Sequence, residues 1–206
     1  ASNLEGCFSD SSEPIEKIGP SIKAPTETIR AVKELGIDWA TLGNTHSMDY
    51  GYQGYLDTCL TLTENGIGYI GWGENAESVR SYAEIWNDGR RIILYNTTER
   101  FENAPRKDYP GVNLYDEYRV CAEIKELREK SDFLIVLYHG GIEGTHCNSE
   151  IMRRRFHRMA DSGADVVISQ HTHAIGEEEH YNNAYLLYGQ GNFCFHFRPD
   201  VTPLLA

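Results

Sequence analysis

The 206-residue chain is short of positive charge: 19 lysines and arginines stand against 31 aspartates and glutamates, a formal net charge of −12. That balance argues against a nucleic-acid phosphate backbone as the main partner. It also disfavours any anionic polymer unless bound cations supply local positive charge. Long apolar runs are missing too: no stretch approaches the ~20 residues that span a bilayer, and no segment reads as a signal peptide. The five cysteines, at 7, 59, 121, 147 and 194, are scattered, odd in number and contain no Cys-x-x-Cys pair. A disulfide framework and a zinc ribbon are therefore not expected. They read as core thiols, with Cys147 close enough in sequence to His139 and His146 to lie near a site. Repeats, linkers and low-complexity tracts are also absent. The chain starts at Ala1 without a methionine and enters a motif at once, so it reads as an excerpt or processed form.

An apolar share of 40% with 24% charged residues describes a soluble globular chain, and its length suits one domain with a substantial core. Ser9 to Pro25 reads as a loop, with Pro25 opening a helix that carries Ile29, Val32 and Leu35 and stops at Gly36. A strand over Ile37–Leu42 leads into the polar turn Gly43–Gly51. A helix from about Gln53 to Glu64 follows, with Leu56, Cys59, Leu60 and Thr63 predicted inward and Asn65-Gly66 as its stop. Ile67–Ile70 is a brief strand, and Gly71-Trp72-Gly73 a loop. Asn87-Asp88-Gly89 is a hairpin turn between Glu84–Trp86 and Arg91–Tyr95. Residues 97–113 read as a long surface loop.

Helices are predicted over Tyr115–Lys130, burying Val120, Ile124 and Leu127, and over Ser149–Asp161, burying Met152, Phe156 and Met159. Strands are predicted at Phe133–Tyr138, Asp165–Ser169 and Tyr185–Tyr188. This alternation of strands and helices implies a layered α/β fold.

The polar residues are more informative than the elements. His171 and His173 follow the apolar run Val166-Val167-Ile168, and in extended backbone residues i and i+2 point to one side. Two imidazoles then reach one small volume, as a metal site requires. His-x-His alone is equally a pair of surface-loop histidines. However, Asn44/His46 and His139 also fall at predicted strand ends, the edge where open α/β sheets bind ligands. His139 precedes two glycines that let the backbone turn closely. Asn44 also reads as an Asx-turn residue, Asp49 as the N-cap of the next helix, and Asn192 as a turn residue beside the site. His146, His157, His180 and His196 lack this placement, and Glu177-Glu178-Glu179 reads as a solvated face.

Asn3-Leu4-Glu5, Asn44-Thr45-His46-Ser47-Met48-Asp49-Tyr50-Gly51, His139-Gly140-Gly141-Ile142-Glu143, Gly163-Ala164-Asp165 with His171-Thr172-His173, and Gly191-Asn192-Phe193 together resemble the capsule-synthesis protein CapA family. This is the poly-γ-glutamate biosynthesis group related to calcineurin-like metallophosphatases, and the resemblance covers nearly the whole chain. It implies a single four-layer α/β/β/α metallophosphatase-like domain over residues 1–206, lacking its first strand and part of its C-terminus. It implies Glu5, Asn44, His139, His171 and His173 as ligands of one or two divalent ions, and His46 as the catalytic acid. Asn3, Asp49, Glu143 and Asn192 would support substrate or ligands.

Mixed histidine, carboxylate and amide donors suit Mn, Fe or Zn. The implied activity is a metal-dependent hydrolase acting on a phosphoester or amide bond, with a small molecule or a glutamyl or envelope polymer as substrate. The implied setting is the cell envelope or extracellular face, beside a membrane-bound synthesis complex. The alternative is a non-catalytic export or anchoring component. Two departures stand out: the family opens with a Gly-Asp strand end that this sequence does not contain, and Thr45 stands where the family has a ligand asparagine.

Overall fold

A computed structural model describes residues 1–99 and 111–194. Along the chain run β1 (Ser2–Asn3), β2 (Cys7–Phe8), β3 (Lys23–Ala24), α1 (Ile29–Glu34), β4 (Trp39–Thr41) and α2 (Gly51–Glu64). Then come β5 (Gly68–Ile70), β6 (Trp72–Gly73), β7 (Tyr82–Asn87), β8 (Arg90–Thr98), β9 (Gly111–Val112) and α3 (Glu117–Arg128). The last five are β10 (Phe133–His139), α4 (Glu150–Asp161), β11 (Val166–Ser169), β12 (Glu178–Tyr181) and β13 (Ala184–Leu187). Contacts divide the chain into two compact units. The first is Ala1–Ala83 with Tyr95–Leu114, and the second is Glu84–Leu94 with the chain from Tyr115 on.

The first unit is built on a parallel sheet of order β1-β4-β5, with Ser2 opposite Ala40 and Trp39 opposite Gly68. Its core gathers Phe8, Ile29, Leu42, Met48, Tyr55, Leu62, Ile67 and Trp72. Helix α2 buries a different face from the predicted one. Leu56 and Leu60 are 39% and 58% exposed, while Gly54, Tyr55, Thr58, Thr61 and Leu62 are buried. The polar positions sit inside because Thr58 is satisfied there: its hydroxyl donates to Gly54 O at 2.6 Å and accepts from Phe8 N at 3.0 Å. Trp72 is not in an open loop but in β6, paired with β9, its ring edge-on to Tyr55 at 4.6 Å. Thr97, Thr98 and Asn113, read as ends of a surface loop, are buried, and the loop's centre, 100–110, lies outside the described residues.

The second unit carries a six-stranded sheet of order β12-β13-β11-β10-β8-β7. Strands β10, β11 and β13 are parallel, with Tyr138 opposite Ser169 and Ile168 opposite Leu187. The β7–β8 hairpin turns through Asp88 and Gly89 at φ 49° and 74°, the left-handed pair that an Asp-Gly turn supplies. Helices α3 and α4 start at Asp116 and Ser149, whose side chains accept from Arg119 N and Met152 N. Both bury the predicted residues, Val120, Ile124 and Leu127 on α3 and Met152, Phe156 and Met159 on α4. Phe156 stacks on Tyr188 at 4.8 Å and meets Tyr138 edge-on at 5.5 Å. Strand β12, which contains Glu178 and Glu179, was not predicted; it pairs antiparallel with β13.

Among the described residues, no helix is long and apolar enough to cross a membrane.

Candidate metal centre

In the second unit three parallel strands end at one edge, and each delivers part of a histidine cluster. His139 is the last residue of β10, His171 and His173 follow β11, and Asn192 follows β13. The loops are bound to each other. Ser169 Oγ donates to Gly140 O at 2.8 Å, Gly144 N to Thr172 O at 2.8 Å, and Gly191 N to Ala174 O at 3.1 Å. Gly141 adopts φ +107°, where a side chain is strained, and a Cβ there would press on Thr172 Cγ2 at 3.0 Å.

His139 and His171 are 0% and 2% exposed, and His139 Nε2 faces His171 Nδ1 at 3.1 Å. Two nitrogens bound tetrahedrally at about 2.05 Å from one ion lie roughly 3.3 Å apart, so this spacing fits a shared divalent cation. Without a cation, the same distance closes an imidazole–imidazole hydrogen bond. His173 is held by Asn192, whose Oδ1 accepts from Nδ1 at 2.8 Å. That bond places the proton on Nδ1 and turns Nε2 into the lone-pair nitrogen, the arrangement in which an outer partner orients a ligating imidazole. His173 adopts φ +56°, an uncommon conformation for a residue with a Cβ. Glu143 Oε1 lies 3.7 Å from His171 Nε2 on an exposed side chain.

The first unit holds the other candidates, at the carboxyl ends of β1 and β4. Asn3 Nδ2 donates to Glu5 Oε2 at 3.2 Å, and Asn44 Nδ2 donates to Asn3 Oδ1 at 3.2 Å and Leu4 O at 2.8 Å. Asn44 Oδ1 accepts from His46 N at 3.0 Å and lies 2.9 Å from Ser47 Oγ. This is the Asx turn read from the sequence, and it engages the whole carboxamide of Asn44. Asn96 pins the start of the turn, its Oδ1 accepting from Gly43 N at 2.7 Å. A Cβ at Gly43 would come within 2.5 Å of that oxygen.

Asp49 does not cap helix α2, as the sequence suggested. The cap position is Tyr50, which makes no side-chain cap bond. Asp49 is drawn instead to stronger donors. Its Oδ2 accepts from His46 Nδ1 at 2.7 Å and Ile22 N at 2.7 Å, and its Oδ1 receives Lys17 Nζ at 2.5 Å. A carboxylate only accepts, so Nδ1 of His46 carries a proton. Burial, and then the Asp49 charge, pushes the Cys7 thiol up to about 12, which keeps it protonated and inert.

Lys17 is the residue that sequence reading missed. It sits in a proline-bounded loop, 29 positions before His46, and no local pattern marks it. The histidines set aside do other work. His146 Nδ1 meets Ile175 O at 2.8 Å, His157 stacks on Tyr181 at 3.7 Å, and His180 lies against Tyr185. His196 lies outside the described residues.

Comparison with known proteins agrees with these motifs. The family model described as bacterial capsule synthesis protein PGA_cap matches residues 1–197. The capsule biosynthesis protein CapA of Bacillus anthracis is 28% identical over 84% of this chain and 44% of its own length. The PGA biosynthesis protein CapA of Bacillus subtilis is also 28% identical, over 82% of this chain and 45% of its own length. A probable polyglutamine synthesis accessory protein of Mycobacterium tuberculosis is 26% identical over 92% of this chain and 53% of its own. The chain thus spans about half the length of the curated relatives it matches.

Among solved structures, a phosphatase of Mycoplasma pneumoniae has a TM-score of 0.53 at 14% identity, covering 80% of this chain and 54% of that one. A hypothetical protein from Thermus thermophilus gives 0.52 at 14%, covering 80% and 57%. At that identity the likeness is one of fold, and the fold is the phosphatase-like α/β fold expected from the sequence. With a family model that matches nearly end to end, the chain belongs to the bacterial capsule synthesis protein PGA_cap family.

Proposed function

We propose that this chain is the metal-binding part of a hydrolase that serves bacterial capsule or poly-γ-glutamate biosynthesis or processing, cleaving a phosphoester or an amide. One observation carries the metal reading: the buried His139–His171 pair with its nitrogens 3.1 Å apart. His139, His171 and His173 would hold a divalent ion, with Mn, Fe and Zn favoured by imidazole donors. Such an ion, when bound, supplies Lewis-acid polarisation and a water that ionises near neutral pH.

The chain's own residues do the rest. Asn192 keeps His173 in one tautomer, and the Asp49 bond leaves His46 its Nε2 as the nitrogen that delivers a proton to the leaving group. Glu5 joins the ligand assignment on the strength of the family pattern. The capsule role is supported by relatives named as capsule and PGA biosynthesis proteins, and an envelope or extracellular setting with a membrane-bound synthesis partner is proposed alongside it.

A second reading has its own observation. The carboxamide of Asn44 is engaged in its turn, and Thr45 stands at the family's ligand asparagine, which favours a reduced metal site in a non-catalytic export or anchoring component. Elemental analysis of the purified protein, with a phosphodiester and a γ-glutamyl substrate screen, separates the two. Stoichiometric metal and turnover lost in His46→Ala support the hydrolase; a metal-free protein with neither activity rejects it.

A further inference from the structure

Asp49 is the fixed point of the His46 turn, and one loop supplies three of the groups that bond it. Ile15 N donates to Asp49 O at 2.9 Å, Ile22 N to Oδ2 at 2.7 Å, and Lys17 Nζ to Oδ1 at 2.5 Å. His46 bonds the same carboxylate through Nδ1. The side chains of Lys17 and Asp49 are 7% and 2% exposed, and that of His46 is 14% exposed. A lysine seldom gives up its hydration unless its charge is paired, and this one is paired with the carboxylate that orients the histidine. The ammonium also lies 3.4 Å from His46 Nδ1. It has no acceptor there, because that nitrogen already donates to the carboxylate at the shorter distance.

We propose that Lys17 is a positioning residue for His46. It clamps Asp49 Oδ1, seals the carboxylate from water and so holds the His46 Nδ1–H···Asp49 bond that turns Nε2 outward. This deepens the hydrolase reading, in which His46 is the acid, and rests on that reading for its catalytic meaning. The placement itself is independent of whether a metal binds. Removing the ammonium leaves a buried carboxylate with its Oδ1 unpaired. Water then enters or the carboxylate rotates, and the Nδ1 proton becomes exchangeable.

The test is proton NMR of the full chain, reading the low-field imidazole Nδ1–H resonance, assigned by its disappearance in His46→Gln. In the wild-type chain this proton is protected and visible. In Lys17→Ala it is lost to exchange or exchanges at least ~10-fold faster, while Lys17→Arg, which keeps a cation in reach of Asp49, retains it. Circular dichroism and the melting transition establish that each variant is folded. If Lys17→Ala does not fold, Lys17→Met, which keeps the stem but not the charge, takes its place with the same expectation. A Nδ1 proton that is equally protected without the Lys17 charge overturns the proposal. A metal-free wild-type chain with neither activity overturns the hydrolase reading but leaves this result standing, so the two failures are distinguishable.

Discussion

The histidine of the first unit and the histidines of the second are held in opposite ways. His46 is enclosed by formal charge, with the Asp49 carboxylate on Nδ1 and the Lys17 ammonium behind it. His139 and His171 are buried against each other, and His173 leans on a neutral carboxamide. A carboxylate partner stabilises an imidazolium and suits a group that holds and passes a proton. A carboxylate beside that pair, Glu143, lies 3.7 Å from His171 Nε2 on an exposed side chain, whereas Asp49 is buried against His46. His139 Nε2 and His171 Nδ1 lie 3.1 Å apart, a spacing that also fits two imidazoles on one cation. On the proposed reading, one cluster would handle a proton and the other would hold a cation, and substitutions can test that division.

The largest expected effect comes from removing one of the facing pair. His171→Ala takes away one of the three imidazoles proposed to hold the ion, and metal affinity is expected to fall more than ~100-fold. Elemental analysis after dialysis against a weak chelator reads this directly. His46→Ala under the same conditions is expected to keep its metal, because its imidazole is committed to Asp49. Loss of metal in both variants would break the comparison.

Next in size is Asp49→Ala. It leaves the Lys17 ammonium buried without its counter-ion, and breaking a buried pair from one side costs about 3–5 kcal/mol. Urea unfolding is the measurement, with the metal content unchanged in the surviving folded fraction. Asn192→Ala acts on the other cluster and in the other observable. Freed from Oδ1, His173 loses its tautomer preference and its seat at φ +56°, and metal affinity is expected to drop ~10–100-fold with little change in stability. These two variants sharpen the comparison, since each moves the quantity that the other leaves alone.

How far the sequence foretold this depends on the range of each signal. The second unit was legible because its information is local. Apolar stripes at helical spacing and short continuous apolar runs gave α3, α4, β10 and β11 within a residue or two. His139, His171 and His173 then fell at strand ends by topology alone. The first unit was less so. Thr58 and Gly54 line the buried face of α2, where a hydrophobicity pattern looks for leucines. The two-residue strands β2, β3, β6 and β9 are too short to leave a period. Asp49 stood at a helix start and so resembled a cap, yet partners at Lys17 and Ile22 outcompeted the helix for it. Pairings across such sequence distances have no signature in a single chain.

The smallest effect concerns a histidine outside both clusters. His157 Nε2 meets Glu179 Oε1 at 3.0 Å, and Tyr188 donates to Glu179 Oε2 at 2.7 Å, tying α4 to strand β12. Burial alone would raise the Glu179 carboxyl, but the bonds from Tyr188 and His157 outweigh it and hold the group below its ordinary value. A carboxyl with a depressed folded pKa stabilises the fold above its unfolded pKa of about 4.5, and loses that contribution as pH falls through the folded value. With Glu179 still 32% exposed, screening limits the contribution to less than ~1 kcal/mol. Glu179→Gln is therefore expected to flatten the fall in melting temperature below about pH 4.5 and to leave metal content unchanged. A change in metal content would mean that the histidine cluster depends on the α4–β12 contact, and the cation-holding role would then extend beyond the strand ends that His139, His171 and His173 occupy.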